Sequence, residues 1–106
     1  MKRKKHAKSI LQPKEDKRCY LCMRLYGDYR EQYVEEHHII FGTAGRAISE
    51  ELGLKVNLCV PHHTAGKEAV HNNHKMAREL QREAQQIFER THSHEEWMDR
   101  IGRNYL

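Results

Sequence analysis

The hydrophobic and polar positions in the first half of the chain predict two short strands. Residues 33–40 carry β-branched and aromatic side chains without Gly or Pro, and residues 54–58 alternate apolar with polar side chains. Residues 41–46 between them are predicted to form a loop. Residues 49–52 are predicted to form a helical turn, capped by its serine and ended by the next glycine. The two strands are expected to pair as an antiparallel hairpin with a long connection.

The second half has the apolar periodicity of helices. A short, interrupted helical piece is predicted after Pro61, and an amphipathic helix is predicted over residues 74–90 with Asn73 as its N-cap. The apolar stripe of that helix consists of Ala77, Leu80, Ala84, Ile87 and Phe88. The S-x-x-E spacing of residues 93–96 is typical of a capping box, and it predicts a last helix that ends at Gly102. The pattern predicts an α+β fold with a C-terminal helical pair.

Length and composition limit the size of the hydrophobic core. The 106 residues fit one small domain, and only 38% of them are hydrophobic and 8% aromatic. Domains with small cores often depend on a metal ion or another crosslink. No apolar run approaches the roughly 20 residues that span a bilayer, and the basic start lacks the apolar segment of a signal peptide. We therefore expect a cytoplasmic protein.

The positive charge is concentrated at the N-terminus. The formal net charge is +4, of which residues 1–18 contribute +6 and the rest of the chain −2. We expect residues 1–18 to form a flexible basic tail that attracts a polyanion such as DNA through salt-sensitive contacts, and residues 19–106 to form a single domain. The alternative is a solvated end that aids solubility.

Three cysteines and one histidine have the spacing of a zinc site. Cys19-x-x-Cys22 and Cys59-x-x-His62 form two pairs, and thiolate and imidazole are the ligands of four-coordinate structural zinc. An odd number of cysteines in a reducing compartment argues against a disulfide framework. The sequence predicts a structural Zn²⁺ with the first pair in a tight turn. The alternative is that the cysteines are small buried residues and the histidine lies on the surface.

Four histidines remain beside that set: His37, His38, His63 and His71. Neighbours on a helix differ in direction by about 100°, so His63 is expected to face a second site beside the zinc. Neighbours on a strand face opposite sides, so His37 and His38 can share a site only where the strand ends or bulges. A divalent ion with a free histidine as general base suits phosphodiester hydrolysis. The alternative is a strand histidine that pairs with a neighbouring glutamate.

The order C-x-x-C, E-H-H-I-I and N-L-C-x-x-H-H resembles the HNH endonucleases of the ββα-metal superfamily, in the small form common in phage genomes. The resemblance covers roughly residues 19–71. It implies a hairpin and a helix around one catalytic divalent ion, with a zinc knuckle beside them. His62 stands where the family usually has the second cysteine, and His37 stands where it usually has aspartate. A nitrogen-rich site favours Zn, Ni or Mn as the catalytic ion, and Mg also fits.

The resemblance implies a role for each matched residue. His38 matches the general base, and His37 and His63 match ligands of the catalytic ion. His71 is a candidate third ligand, with a helix-surface histidine as the alternative. Asn57 is the candidate for the asparagine that orients the base, although it lies nearer to the C-x-x-H pair than in the family. The expected catalytic set is therefore His38, Asn57 and His63.

Three basic residues flank this proposed site, namely Arg46, Lys55 and Lys67. They are candidates for binding phosphates of double-stranded DNA without reading its sequence, or else they are ordinary surface charges. The expected function is a metal-dependent DNA endonuclease. The competing hypothesis is a non-catalytic, zinc-stapled DNA-binding or recombination accessory protein, which needs the zinc site and the tail but not the remaining histidines.

The C-terminal helical pair is also a candidate surface for a homodimer. Trp97, Met98 and Tyr105 would then be exposed in a single chain. The alternative is that these side chains cover the core of the small domain.

Overall fold

Two strands and four α-helices form an α+β fold within residues 7–106, the part of the chain that the computed structural model describes. In chain order the elements are α1 (Tyr20–Tyr26), β1 (Glu35–His38), α2 (Gly42–Leu52), β2 (Lys55–Leu58), a π-helical segment (Pro61–Ala65), α3 (His74–Phe88) and α4 (His94–Ile101). The strands pair antiparallel, with Glu35 opposite Leu58 and His38 opposite Lys55. The predicted α+β class and the antiparallel hairpin are confirmed.

The connection between the strands is a full helix, where a loop followed by one turn was predicted. Helix α2 begins at Gly42, and Ser49 lies inside it instead of capping it. Ser49 is fully buried, and its hydroxyl accepts a hydrogen bond from the Ile40 amide at 3.1 Å. This buried contact attaches α2 to the end of β1. Gly53 ends the helix at a positive φ of 74°, as predicted.

The C-x-x-C pair begins a helix where an isolated tight turn was predicted. Cys19 is the N-cap of α1, and its Sγ accepts a hydrogen bond from the Cys22 amide at 3.4 Å. The helix ends at Gly27, whose φ is 61°. One helical turn therefore brings both thiols to the same end of α1.

The C-terminal helices cover the core of a single chain. Helix α3 begins at the predicted cap Asn73, and α4 begins after Ser93, whose predicted capping box is formed. Trp97 is fully buried, packs against Phe88, and donates its indole N–H to the carbonyl of Arg103 at 2.8 Å. The Trp97 side chain is therefore a core residue and is not exposed for a partner. Met98 and Tyr105 are half-buried against the same core.

Helix α3 buries amides as well as its predicted apolar stripe. Ile87 is only half-buried, whereas Gln81 and Gln85 are buried. Gln85 donates to the Asn104 side chain at 2.9 Å and accepts from the Tyr105 amide at 2.7 Å. These bonds hold the C-terminal segment on α3. Among the described residues, no helix is both long and apolar enough to cross a membrane.

The N-terminal segment from residue 7 to residue 18 lies against the sheet. The Ile10 amide donates to the carbonyl of Gly53 at 2.9 Å, and the Gln12 side chain accepts from the Asn57 amide at 2.7 Å. This corrects the expectation that the domain begins at residue 19, because the segment supplies partners to the edge of β2. Residues 1–6 of the predicted tail lie outside the described residues.

Candidate metal centres and the histidine cleft

Cys19, Cys22, Cys59 and His62 converge at one buried point. The Nδ1 atom of His62 lies 3.5, 3.4 and 3.3 Å from the Sγ atoms of Cys19, Cys22 and Cys59, and the last two sulfurs are 3.8 Å apart. A tetrahedron around zinc with bonds of about 2.3 Å to sulfur and about 2.0 Å to nitrogen has edges of roughly 3.5–3.8 Å. The four atoms stand at such corners, so the cluster is compatible with a structural zinc site.

The backbone after β2 presents the second pair of these ligands. The amides of His62 and His63 both donate to the carbonyl of Cys59, at 3.1 and 2.8 Å. Pro61 occupies the first helical position, where no amide hydrogen is required. The chain therefore turns sharply at this point, and the thiol of Cys59 and the imidazole of His62 face each other.

Burial of the cysteine cluster determines when its thiols ionise. Burial raises the pKa of Cys22 to about 12, and the thiols of Cys19 and Cys59 add to this rise. Burial also raises the pKa of Cys59. With their pKa values raised, the thiols of Cys22 and Cys59 ionise together only when a cation compensates their charge. Glu68 lies 3.8 Å from the other ring nitrogen of His62, and it also accepts a hydrogen bond from the hydroxyl of Tyr26.

A second group of ligand atoms comes from His37, His63 and His71. Their ring nitrogens lie within 4.8 Å of one another, and the Nε2 atoms of His63 and His71 are 3.2 Å apart. His37 lies on β1, His63 on the π-helical segment, and His71 on the turn before α3. The His71 amide donates to the His63 carbonyl at 3.3 Å, which brings the two rings together. The structure thus places His71 with the other two candidate ligands.

The protonation states of this cluster suit metal binding. Burial lowers the pKa of His37 to about 3, and the positive charges of His63 and His71 add to the effect. Burial also lowers the pKa of His71. The Nδ1–H of His63 donates to a carboxylate oxygen of Glu35 at 2.9 Å, because a carboxylate only accepts. This bond leaves Nε2, which faces His71, as the atom with a lone pair.

Phe41 packs against two rings of the three-histidine cluster. It meets the His37 ring edge-on with centroids 5.6 Å apart, and it stacks on the His71 ring at 5.4 Å with an interplanar angle of 7°. Phe41 is the N-cap residue of α2. The start of this helix therefore restricts the orientation of both imidazoles.

His38 has a different set of partners from its neighbour His37. Strand β1 ends at His38. The Nε2–H of His38 donates to Glu50 Oε1 at 2.6 Å. Lys55 donates to the other oxygen of Glu50 at 3.2 Å. His38 nevertheless lines the same open cleft as the three-histidine cluster, and Arg46 lies at this cleft too.

Asn57 was predicted to orient His38, but its side chain bonds elsewhere. Its side-chain amide donates to the carbonyls of Lys14 and Asp16 at 3.1 and 2.7 Å. The expected role is corrected for a geometric reason, since both amide hydrogens hold the N-terminal segment against β2. The side chain that does contact His38 is Glu50.

The three candidate phosphate-binding residues have different environments. Lys55 is only 8% exposed, and its ammonium lies 3.2 Å from Glu50 and 3.9 Å from Glu36. Its charge is thus directed inward, which corrects its prediction as a cation for DNA. Arg46 and Lys67 are exposed, and Arg46 lines the histidine cleft.

Two glutamates that the sequence reasoning missed are part of these sites. Glu35 had a signal, because it lies two residues before His37 and so on the same face of the strand. Glu50 had none, because it meets His38 across 12 positions through the packing of α2 on the sheet, although the helical turn that carries it was predicted. Sequence pattern alone therefore predicted candidate ligands more readily than the carboxylates that contact them.

Comparison with protein-family models, with curated proteins and with solved structures gives no match for this chain. The class that the structure defines is a small α+β domain with a buried Cys₃His cluster compatible with zinc.

Proposed function

We propose that this chain is a metal-dependent endonuclease of the HNH type that hydrolyses phosphodiester bonds of double-stranded DNA. The observation that carries the proposal is the cleft shared by His38, the three-histidine cluster and Arg46. The cleft brings together three candidate metal ligands, the imidazole of His38 and the guanidinium of Arg46. The resemblance in residue order and spacing supplies the reaction class.

His37, His63 and His71 would hold the catalytic divalent ion through their ring nitrogens. His37 is neutral near pH 7 because burial lowers its pKa to about 3, and the bond to Glu35 keeps the Nε2 lone pair of His63 available. A set of three nitrogens favours Zn, Ni or Mn over Mg. When bound, the ion would polarise the phosphate and stabilise negative charge on the leaving oxygen.

His38 would act as the general base. Its Nε2 carries the hydrogen that bonds to Glu50, so Nδ1 is the atom that takes a proton from water. The water oxygen then forms a bond to phosphorus while the bond from phosphorus to the leaving oxygen breaks. Arg46, exposed at the cleft, would bind a neighbouring phosphate and position the strand.

A plasmid-cleavage assay with Zn, Ni, Mn or Mg tests this proposal. We expect the parent to cleave DNA in the presence of an ion and to stop when EDTA is added. His38→Ala should lower the cleavage rate by about 10²- to 10⁴-fold, the usual contribution of a general base. His94→Ala is the matched control, because His94 is an exposed histidine of α4 that pairs with Glu89.

Two outcomes would contradict the proposal in different ways. If His38→Ala cleaves as fast as the parent, His38 is not the base. If the parent leaves DNA intact with every ion but still retards it in a gel, the chain is the non-catalytic zinc-stapled DNA-binding protein.

A further inference from the structure

Glu50 connects α2 to both strands of the sheet. Its Oε1 atom accepts the Nε2–H of His38 at 2.6 Å, and its Oε2 atom accepts from the Lys55 ammonium at 3.2 Å. His38 belongs to β1 and Lys55 to β2, so each carboxylate oxygen is held from a different strand. The side chains of His38 and Lys55 are only 14% and 10% exposed, which limits competition from water.

The chemistry of a carboxylate makes this contact selective. An amide can either donate to an imidazole nitrogen or accept from it, whereas a carboxylate can only accept. The contact therefore selects the tautomer of His38 in which Nε2 carries the hydrogen and Nδ1 is basic. Asn57 cannot take this role here, since its amide donates to the carbonyls of Lys14 and Asp16.

We infer that Glu50 is the positioning residue for His38, setting both the tautomer and the ring orientation of the proposed base. The inference rests on the proposed nuclease function, and it gives to a carboxylate from α2 the role that the resemblance suggested for Asn57. Lys55 in turn holds the second oxygen of Glu50, so the carboxylate cannot rotate away without losing an ion pair.

A metal ion is the other occupant that this cluster suggests. Ligand atoms of Glu36, His38 and Glu50 lie within 4.8 Å of one another. The ammonium of Lys55, however, lies 3.2 Å from Glu50 and 3.9 Å from Glu36. A cation that is part of the chain thus already stands beside both carboxylates, and the geometry favours a hydrogen-bonded network over a third metal site.

Nuclear magnetic resonance of the imidazole nitrogens of His38 tests the inference without any measurement of cleavage. At a pH where His38 is neutral, we expect the parent to show the Nε2–H tautomer alone and Glu50→Ala to show a mixture of the two. Glu50→Gln has almost the size of the parent side chain and is the variant to use if Glu50→Ala does not fold. Its amide can accept or donate, so it should also give a mixture. An unchanged single tautomer in both variants would overturn the inference.

Kinetics give the second measurement. Glu50→Ala should lower kcat for DNA cleavage about 10- to 100-fold and leave KM within about twofold, because the base is misoriented while DNA contacts remain. Glu51→Ala is the control, since Glu51 is the next residue of α2 and pairs with Arg100 on α4. We expect this control to change neither kcat nor the tautomer.

The results separate this inference from the proposed function. If the parent cleaves DNA and both Glu50 variants keep its kcat, Glu50 does not position the base, although the nuclease proposal stands. If the parent does not cleave DNA, the nuclease proposal fails, and the tautomer measurement alone decides whether Glu50 sets the state of His38.

Discussion

At the scale of single residues, the neighbours His37 and His38 enter different environments because strand side chains alternate. The face of β1 that carries His37 also carries Glu35, and both of these contact His63. The other face carries His38, which is bonded to Glu50. Of these two adjacent imidazoles, His37 is therefore a candidate metal ligand and His38 a candidate base. A register slip of one residue would exchange their faces.

The environment of Lys55 leads to a prediction for stability. Lys55→Met should lower the free energy of unfolding by about 2 kcal/mol, because Glu36 and Glu50 lose a nearby ammonium in a largely buried position. Urea unfolding followed by circular dichroism would measure this loss. The exposed Lys67 provides the control, and Lys67→Met should stay within about 0.5 kcal/mol of the parent. Equal losses in the two variants would show that the Lys55 contacts contribute nothing specific.

At the scale of elements, α1 is attached to the rest of the domain through the start of a short helix. Its cap and first turn supply Cys19 and Cys22 to the Cys₃His cluster. Tyr20, between these cysteines, donates its hydroxyl to Glu83 on α3. A seven-residue helix is marginal by itself in water, so these tertiary contacts decide whether it forms.

The Tyr20 contact leads to a prediction at alkaline pH. Burial, followed by the hydrogen bond to Glu83, raises the pKa of Tyr20 above the usual 10. The unfolded chain therefore loses this proton first, and the stabilisation is complete below pH 10 and is lost as the pH rises above it. Below pH 10, Tyr20→Phe should be less stable than the parent by about 1 kcal/mol. This difference should shrink between pH 10 and 11.

Urea unfolding of the parent and the variant from pH 8 to pH 11 checks this expectation. Tyr29→Phe, at an exposed tyrosine, should leave the stability unchanged at neutral pH. A difference between the parent and Tyr20→Phe that stays constant over the whole range would contradict the proposed titration.

At the scale of the whole molecule, the Cys₃His cluster joins parts of the chain that are far apart in sequence. It links α1 to the end of β2 and to the π-helical segment. Because the hydrophobic core is small, a metal ion bound at this point would contribute directly to folding. His63 of the three-histidine cluster is the next residue after His62, so loss of an ion from the Cys₃His cluster would also displace a candidate catalytic ligand.

Metal removal is therefore expected to unfold the chain. A strong chelator should abolish the near-ultraviolet circular dichroism and expose all three thiols to a thiol reagent. His62→Cys should keep one bound zinc, since four thiolates are also a standard structural set, whereas His62→Ala should lose the ion. Metal analysis together with thermal unfolding would measure both effects. A chelated protein that keeps its near-ultraviolet spectrum and protected thiols would contradict a structural role for the cluster.

The sequence by itself determined the features that depend on residues a few positions apart. The caps at Asn73 and Ser93 are examples, as are the two strands and the two ligand pairs. A cap or a strand is recognisable because local backbone geometry imposes a spacing of three or two residues. The same reasoning missed the start of α2, because its first residues lack an apolar period.

Only the tertiary structure decided the partners of the site residues. Glu50 meets His38 across 12 positions, and Gln12 meets Asn57 across 45. The tertiary structure also brings His71 to His63 and places the ammonium of Lys55 beside Glu50. These contacts depend on how the helices and the N-terminal segment pack on the sheet, and no periodic pattern encodes that packing. The candidate ligands are therefore recognisable from local sequence spacing, whereas the groups that contact them are fixed by tertiary packing.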